Sequence, residues 1–435
     1  LYMSLDRTPL LTEDAEPVSI DGKDEESGLR LNIGTATVFS AIFNLTNTVI
    51  GSGVLTLPYD FKETGWALGL GGMLFVAACS LYSFYMLTWC SVKTGLFSYR
   101  EIGNRVFGAG WGVIVELFIV LYTIGTCCSY PIILMDNMFW WNDTEHGQTY
   151  KHIAIVVVAV LVLFPLSIMT KLDFLRHTSL AALCSVAYIV CVIIIVFILI
   201  STGTFEGGSG PVRAINNNPM EIFVAFPLFG VAFTAHYNCL NVYKELKNRK
   251  VSTMNKVIKG SGVIIIAVYV CMGLFGYLSF RDDVNSDVLL NLASLVSGGA
   301  GGWWVNLANI AMLLTILCSY PLVCFALRNS ISGIVWGRRN MVPTRQQQIL
   351  VVVCIITFAV FIAIVVGDIG AVLSFSGSIA GTNVVYILPG LFFYKLLPKE
   401  DNRRKLAIFI IATGAFFFVT GLWSAVYTVI LHPSA

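Results

Sequence analysis

Charge is what this sequence has least of. Only 12% of its 435 residues are Asp, Glu, Lys or Arg, roughly half the ~25% of an ordinary soluble domain. With 57% hydrophobic residues and a mean hydropathy of +0.79, the apolar side chains exceed what a soluble core can hide. A soluble enzyme and a nucleic-acid binder are thereby excluded, and a net charge of +2 names no partner. No phosphate-binding loop is present and no loop is long enough to be a nucleotide domain, so nothing supports ATP use or an organic cofactor. The five histidines, at 146, 152, 177, 236 and 432, are scattered and form no catalytic constellation, which argues against a membrane-embedded enzyme. Long polar loops hold no cysteine: all 11 lie in or beside apolar runs, without the spacing of a disulfide framework or a zinc site. They read as small, soft residues of a membrane core.

What the chain does have is long apolar runs. A crossing helix needs roughly 20 such residues to span about 30 Å of hydrocarbon. Eleven runs qualify: 34–60, 65–91, 112–135, 152–170, 179–201, 220–245, 257–280, 303–327, 348–367, 371–397 and 406–431. Alternate loops between them hold 20 Lys and Arg against 4 in the opposite set (Lys62, Lys151, Arg213 and Arg281). Basic residues collect on the cytoplasmic side, so the N-terminus is expected there and the C-terminus in the lumen or outside. Asn142-Asp143-Thr144 is then a glycosylation acceptor in an outside loop, close to the membrane edge at Trp140 and Trp141. Residues 98–107 read equally well as a short amphipathic surface helix or as a solvated loop. The outside loop 281–301 is either a cover for an external vestibule or a flexible connector.

Two of the spans are not plain hydrophobic helices. The first contains Asn44-Leu45-Thr46-Asn47-Thr48-Val49-Ile50-Gly51-Ser52-Gly53-Val54-Leu55-Thr56-Leu57-Pro58. Backbone unwinds at membrane depth only where protein or a water-filled cavity satisfies it, and glycine permits the conformations required. Unwinding frees amides that favour a carboxylate and carbonyls that can ligate a small cation. Close packing through small residues is the plainer explanation, but Asn adds nothing to that. The sixth span carries a second interruption, Phe226-Pro227-Leu228-Phe229-Gly230-Val231-Ala232-Phe233-Thr234-Ala235-His236. Discontinuous spans five apart point to an inverted-repeat transporter. Cys128-Ser129-Tyr130-Pro131 and Cys318-Ser319-Tyr320-Pro321, 190 residues apart in spans three and eight, support the repeat. The domains expected are a disordered acidic tail (1–32), a transport core of ten spans (33–401) and a peripheral eleventh span with a short external C-terminus (402–435).

The first-span run from Asn44 to Leu55 resembles the signature of the amino acid/auxin permease group, and more narrowly solute carrier family 38, the sodium-coupled neutral amino acid transporters. Ser319-Tyr320-Pro321 with Arg328, Gly367-Asp368-Ile369-Gly370 and Leu388-Pro389-Gly390 also fit, and the resemblance runs from about residue 33 to the end. It implies an all-α LeuT-type fold of five plus five spans and one extra, with substrate beside the breaks in spans one and six. It implies sodium between an Asn of span one and a hydroxyl of span eight, which fall on Asn47, with Asn44 one turn away as the alternative, and on Ser319. The family often has a Thr nearby where this chain has Cys318, which leaves a proton open as the coupling ion. Hard oxygen donors suit sodium. The substrate α-carboxylate is expected at the amides of Val49, Ile50, Gly51, Ser52 and Gly53, and its amino group near Thr48, Phe229 and Gly230. The breaks themselves carry no fixed charge, so a neutral amino acid such as glutamine, asparagine or a small aliphatic one is expected. His236 is a candidate for a coupled proton or a substrate hydrogen bond, or else a neutral histidine satisfied by a carbonyl.

Residues 1–30 carry eight acidic and three basic residues without apolar periodicity, the composition of a disordered segment. Asp6-Arg7-Thr8-Pro9-Leu10-Leu11 matches an acidic dileucine signal of the kind clathrin adaptors read, with Asp6, Leu10 and Leu11 as its determinants. A lysosomal, endosomal or vacuolar membrane is therefore expected ahead of the cell surface. The expected activity is secondary active transport of neutral amino acids; an amino-acid sensor signalling through the tail is the rival from another class.

Overall fold

The computed structural model describes residues 34–138, 147–168, 173–297, 302–337 and 343–426. Asn142 and the acidic tail with Asp6, Leu10 and Leu11 lie outside the described residues. Helices account for most of the described residues, and the only extended pairing among them is an isolated bridge between Ala36 and Leu246.

Among the described residues eighteen α-helices follow in order: α1 Val38–Val49, α2 Leu57–Thr64, α3 Trp66–Thr94, α4 Tyr99–Phe107, α5 Trp111–Met138, α6 Gly147–Val158, α7 Phe164–Ile168, α8 Asp173–Ser201 and α9 Pro219–Ala232. Then come α10 His236–Glu245, α11 Val251–Val270, α12 Gly276–Phe280, α13 Val288–Ser297, α14 Trp303–Val335, α15 Arg345–Val366, α16 Ile369–Ser376, α17 Leu388–Leu396 and α18 Arg403–Val426. Wider π-type turns carry α6 into α7, α11 into α12 and α16 into α17. Among the described residues, ten helical stretches are long and apolar enough to cross a membrane. The first of the eleven expected spans is not among them: α1 has 12 residues, about 18 Å of helix. Span ten is distorted over Gly377–Gly381 and Asn383–Ile387.

Large apolar side chains are left on the outer faces, such as Leu161, Val365 and Val419, a surface that suits lipid rather than water. Inside, α14 packs most extensively on α8 and α5, while α1 lies along α11 and α2 along α9. The two matching tetrapeptides meet where α5 crosses α14: the rings of Tyr130 and Tyr320 lie 5.9 Å apart. The 98–107 segment is a helix, α4, with Tyr99, Ile102 and Gly103 buried.

α5 is tied at both ends. Near its start Glu116 accepts from Arg100 of α4 at 2.5 Å, and the same guanidinium donates to the Gly333 carbonyl of α14. Near its end Asn137 donates to Asp287 at 3.1 Å, while the other Asp287 oxygen caps α13 through the Leu289 amide at 2.9 Å. α13 also reaches span one, where the Val288 amide donates to Leu55. The described part of the 281–301 loop is thus a docked helix rather than a free connector.

Burial pushes the Asp287 carboxyl up to about 6, against the lowering effect of the Leu289 and Asn137 hydrogen bonds. Because the folded value lies above the ~3.9 of a hydrated Asp, docking is most stable below about pH 4 and weakens as pH rises through about 6. Thermal unfolding of purified protein from about pH 4 to 7 checks this. The wild type is expected to lose stability across that window relative to Asp287→Asn, and parallel curves for the two proteins contradict it.

Candidate functional site

The two interrupted stretches meet. α1 ends because Ile50 turns to ψ 75°, and a single 3₁₀ turn at Ser52–Val54 follows before Pro58 starts α2. α9 ends at Ala232, its Gly230 carbonyl taken by the Thr234 hydroxyl at 2.9 Å, and α10 restarts at His236. Between them lies a cavity of about 20 Å³, lined by Thr48, Val49, Gly51, Ser52 and Gly53 on one side and Val231, Ala232, Thr234 and Tyr237 on the other. Tyr122, Thr126 and Tyr130 of α5 and Leu373 of α16 complete the wall. That volume holds about one water and is far below the ~300 Å³ of a small-molecule pocket. The site is closed in this conformation. Its lining carries no charged side chain.

Of the amides expected for a carboxylate, that of Val49 belongs to the last turn of α1, and two more are already used: Ile50 donates to Thr46 at 2.8 Å and Gly51 to Val49 at 2.9 Å. Ser52 and Gly53 open the 3₁₀ turn, where the first N–H groups have no partner within the helix. The Ser129 hydroxyl donates to Thr126, so the Ser52 hydroxyl donates to Ser129, 3.1 Å away. Thr48 donates to Asn44 and accepts from Asn238 of α10 at 3.0 Å.

Three expected contacts lie off the cavity. Phe229 packs on Phe61 and Phe226, and Gly230 faces Tyr386. His236 is fully buried, stacked on Phe84 at 3.8 Å, with Nε2 3.3 Å from the Ser80 carbonyl. A carbonyl only accepts, so His236 is protonated on Nε2. The reason is local: α9 tolerates Pro227 and runs on to Ala232, so the interruption falls three residues later than Phe229-Gly230.

Asn47 is 1% exposed; its amide donates to Ser179 of α8 at 3.3 Å and its Oδ1 has no hydrogen-bond partner. The Ser319 hydroxyl, on α14, is also buried and without a partner. α1 touches both α8 and α14, so two unsatisfied hard oxygens sit on adjoining helices. This donor chemistry fits a sodium ion.

Two residues escaped the reading of the sequence. Asp60, in the first turn of α2, is 0% exposed and neither carboxyl oxygen has a hydrogen-bond partner. An acidic residue within an apolar stretch was the signal for it. Tyr269 of α11 is fully buried, and its hydroxyl lies 2.9 Å from the Val49 carbonyl and 2.6 Å from the Ala232 carbonyl. It joins the two helix ends, and no pattern in span seven marks it.

Membrane-length helices closed around a small uncharged cavity at two helix interruptions define a membrane transporter. Two solved transporters share the architecture: a sodium-coupled sialic acid symporter in a substrate-bound outward-open state (TM-score 0.57, 16% identity, 90% of this chain and 88% of that one), and a manganese transporter of Eremococcus coleocola (TM-score 0.62, 12% identity, 93% and 92%). At such identities what is shared is the fold, the LeuT type. The chain belongs to the family described as transmembrane amino acid transporter protein, whose profile matches residues 34–431. It is a family of transporters, not of enzymes. Among relatives, sodium-coupled neutral amino acid transporter 7 of Homo sapiens is 26% identical over 98% of this chain and 96% of its own length. Vacuolar amino acid transporter 5 of Schizosaccharomyces pombe is 27% identical over 84% and 86%.

Proposed function

We propose that this chain is a secondary active transporter of neutral amino acids, coupled to sodium and working by alternating access. In this reading α1 with α2, and α9 with α10, are the halves of two discontinuous spans in a five-plus-five inverted repeat. α18 lies outside it, and the crossings number eleven. The contact of Tyr130 with Tyr320 supports the repeat, since equivalent residues meet where they lie beside a two-fold axis. The N-terminus is cytoplasmic by the distribution of Lys and Arg. The tail signal at Asp6, Leu10 and Leu11 addresses the protein, through clathrin adaptors, to a lysosomal, endosomal or vacuolar membrane. A relative named for the vacuole is in keeping with that.

One observation carries the reading: the cavity lies where the carbonyl end of α1 and that of α9 converge on the Ser52–Gly53 turn, with no charged side chain around it. Helix C-termini favour a cation and free amides favour an anion. A zwitterion seats its ammonium toward Val49 and Ala232 and its carboxylate toward Ser52 and Gly53. The uncharged wall then selects a neutral side chain. The cavity opens on one face at a time, and sodium at Asn47 and Ser319 ties the position of α1 to α8 and α14.

Uptake of radiolabelled glutamine, alanine and arginine into proteoliposomes tests this, with sodium and proton gradients imposed separately. Sodium is expected to drive glutamine and alanine but not arginine. Asn47→Ala is expected to raise the half-saturating sodium concentration about tenfold while the substrate KM stays within about threefold; unchanged sodium activation removes Asn47 from the site. Asp60 favours a second reading, proton coupling, because an unpartnered carboxyl in a membrane span is by default a functional group. Uptake driven by protons alone, and lost in Asp60→Asn, selects that reading. Binding without flux selects the sensor.

A further inference from the structure

The hydroxyl of Tyr269 links the ends of two interrupted helices. It sits between the last carbonyls of two interrupted helices, Val49 of α1 and Ala232 of α9, at 2.9 and 2.6 Å. Both carbonyls are at helix ends that have run out of intrahelical donors and carry the negative end of the dipole. Both residues also line the cavity, whereas Tyr269 stands behind it, 0% exposed. A phenol has one hydrogen, so a single donor serves two acceptors. An amino acid's ammonium has three; the Val49 carbonyl also accepts from the Gly51 amide at 2.9 Å, so Ala232 is the carbonyl that depends most on the phenol.

We propose that Tyr269 is a positioning residue that holds the place of the substrate's ammonium group in the closed, empty carrier. The inference rests on the cavity being the amino-acid site and goes beyond it, because it assigns a role in the unloaded half of the cycle. With substrate seated, the ammonium satisfies Val49 and Ala232 and the phenol is redundant. Without substrate, the phenol is the donor that caps the Ala232 carbonyl as the helix ends close, and it supplements the Gly51 amide at Val49; its loss leaves the Ala232 carbonyl uncapped, which is disfavoured. Net uptake needs the empty carrier to close and return at every turnover. Exchange of internal for external amino acid passes through loaded states only. The hydroxyl therefore governs the first process and spares the second.

Tyr269→Phe separates the two, because the ring keeps its edge-on packing against Phe233 at 5.0 Å and only the donor is lost. In proteoliposomes holding the full chain, net glutamine uptake into empty vesicles is expected to fall about tenfold. Exchange into glutamine-loaded vesicles should stay within about twofold of the wild type. An equal fall in both modes makes Tyr269 a structural residue only and overturns the proposal. So does wild-type behaviour in both modes. The des-amino analogue of glutamine, tested on the wild type, isolates the underlying reading. If it inhibits uptake as well as glutamine does, the cavity holds no ammonium and both inferences fall. If it does not, and the two modes still fall together in Tyr269→Phe, only the role of Tyr269 is lost.

Discussion

Gly53→Val is expected to abolish uptake, by about a hundredfold or more, while leaving folded protein in the membrane. A side-chain carbon added at Gly53 meets the Cα of Ala232 at 3.1 Å, and that neighbour is backbone, which cannot rotate away. Valine adds two further methyl groups beside a cavity of only about 20 Å³. α9 must then retreat from the 3₁₀ turn, separating the carbonyl of Ala232 from that of Val49. Displacements near 1 Å at a site of this kind suffice for about a hundredfold loss of rate, whereas overpacking costs only about 1–3 kcal/mol of stability. Gly51→Val should be milder, because its added carbon meets the Tyr130 hydroxyl at 3.1 Å and a side chain can shift. Uptake per reconstituted molecule, with a monodisperse elution profile as the control for folding, reads the difference. Uptake by Gly53→Val within about twofold of wild type would show that the close approach of the two spans is not part of the cycle.

The same two glycines show which features were legible in the sequence. Gly51-Ser52-Gly53 and Pro58 are costly in an apolar span, and the structure interrupts the helix there. The second interruption was visible only approximately. Pro227 reads as a breaker, yet α9 accommodates it and stops at Ala232, where Thr234 takes the Gly230 carbonyl. The cavity wall contributed by α5 was half seen: Ser129 and Tyr130 stood out as one copy of a repeated tetrapeptide, not as neighbours of Ser52. Tyr269 was invisible, because its role depends on two carbonyls more than 35 residues away along the chain. Hydropathy reports which segments enter the membrane. It carries no information about which backbone groups converge once they are there.

The ion pair between Arg100 and Glu116 carries the second large effect, on stability rather than on transport. The Glu116 side chain is 10% exposed and that of Arg100 18%. A side-chain carbon at Gly333 would collide with the Glu116 carboxylate, and one at Gly337 with the guanidinium at 2.8 Å, so the pair fills the space left by a glycine of α14 and another in the turn that follows it. Removing one partner of a buried pair leaves a charge without compensation and costs about 3–5 kcal/mol, whereas replacing both with apolar residues is often neutral. Arg100→Met alone is therefore expected to lower thermal stability far more than Arg100→Met combined with Glu116→Leu. The double variant should recover most of the loss, because α4, α5 and α14 keep their packing without the two charges. Heat-induced unfolding of the purified variants at neutral pH gives the ordering. If the single variant is no worse than the double, the Glu116 carboxylate is hydrated in solution and the pair contributes little to holding these three helices together.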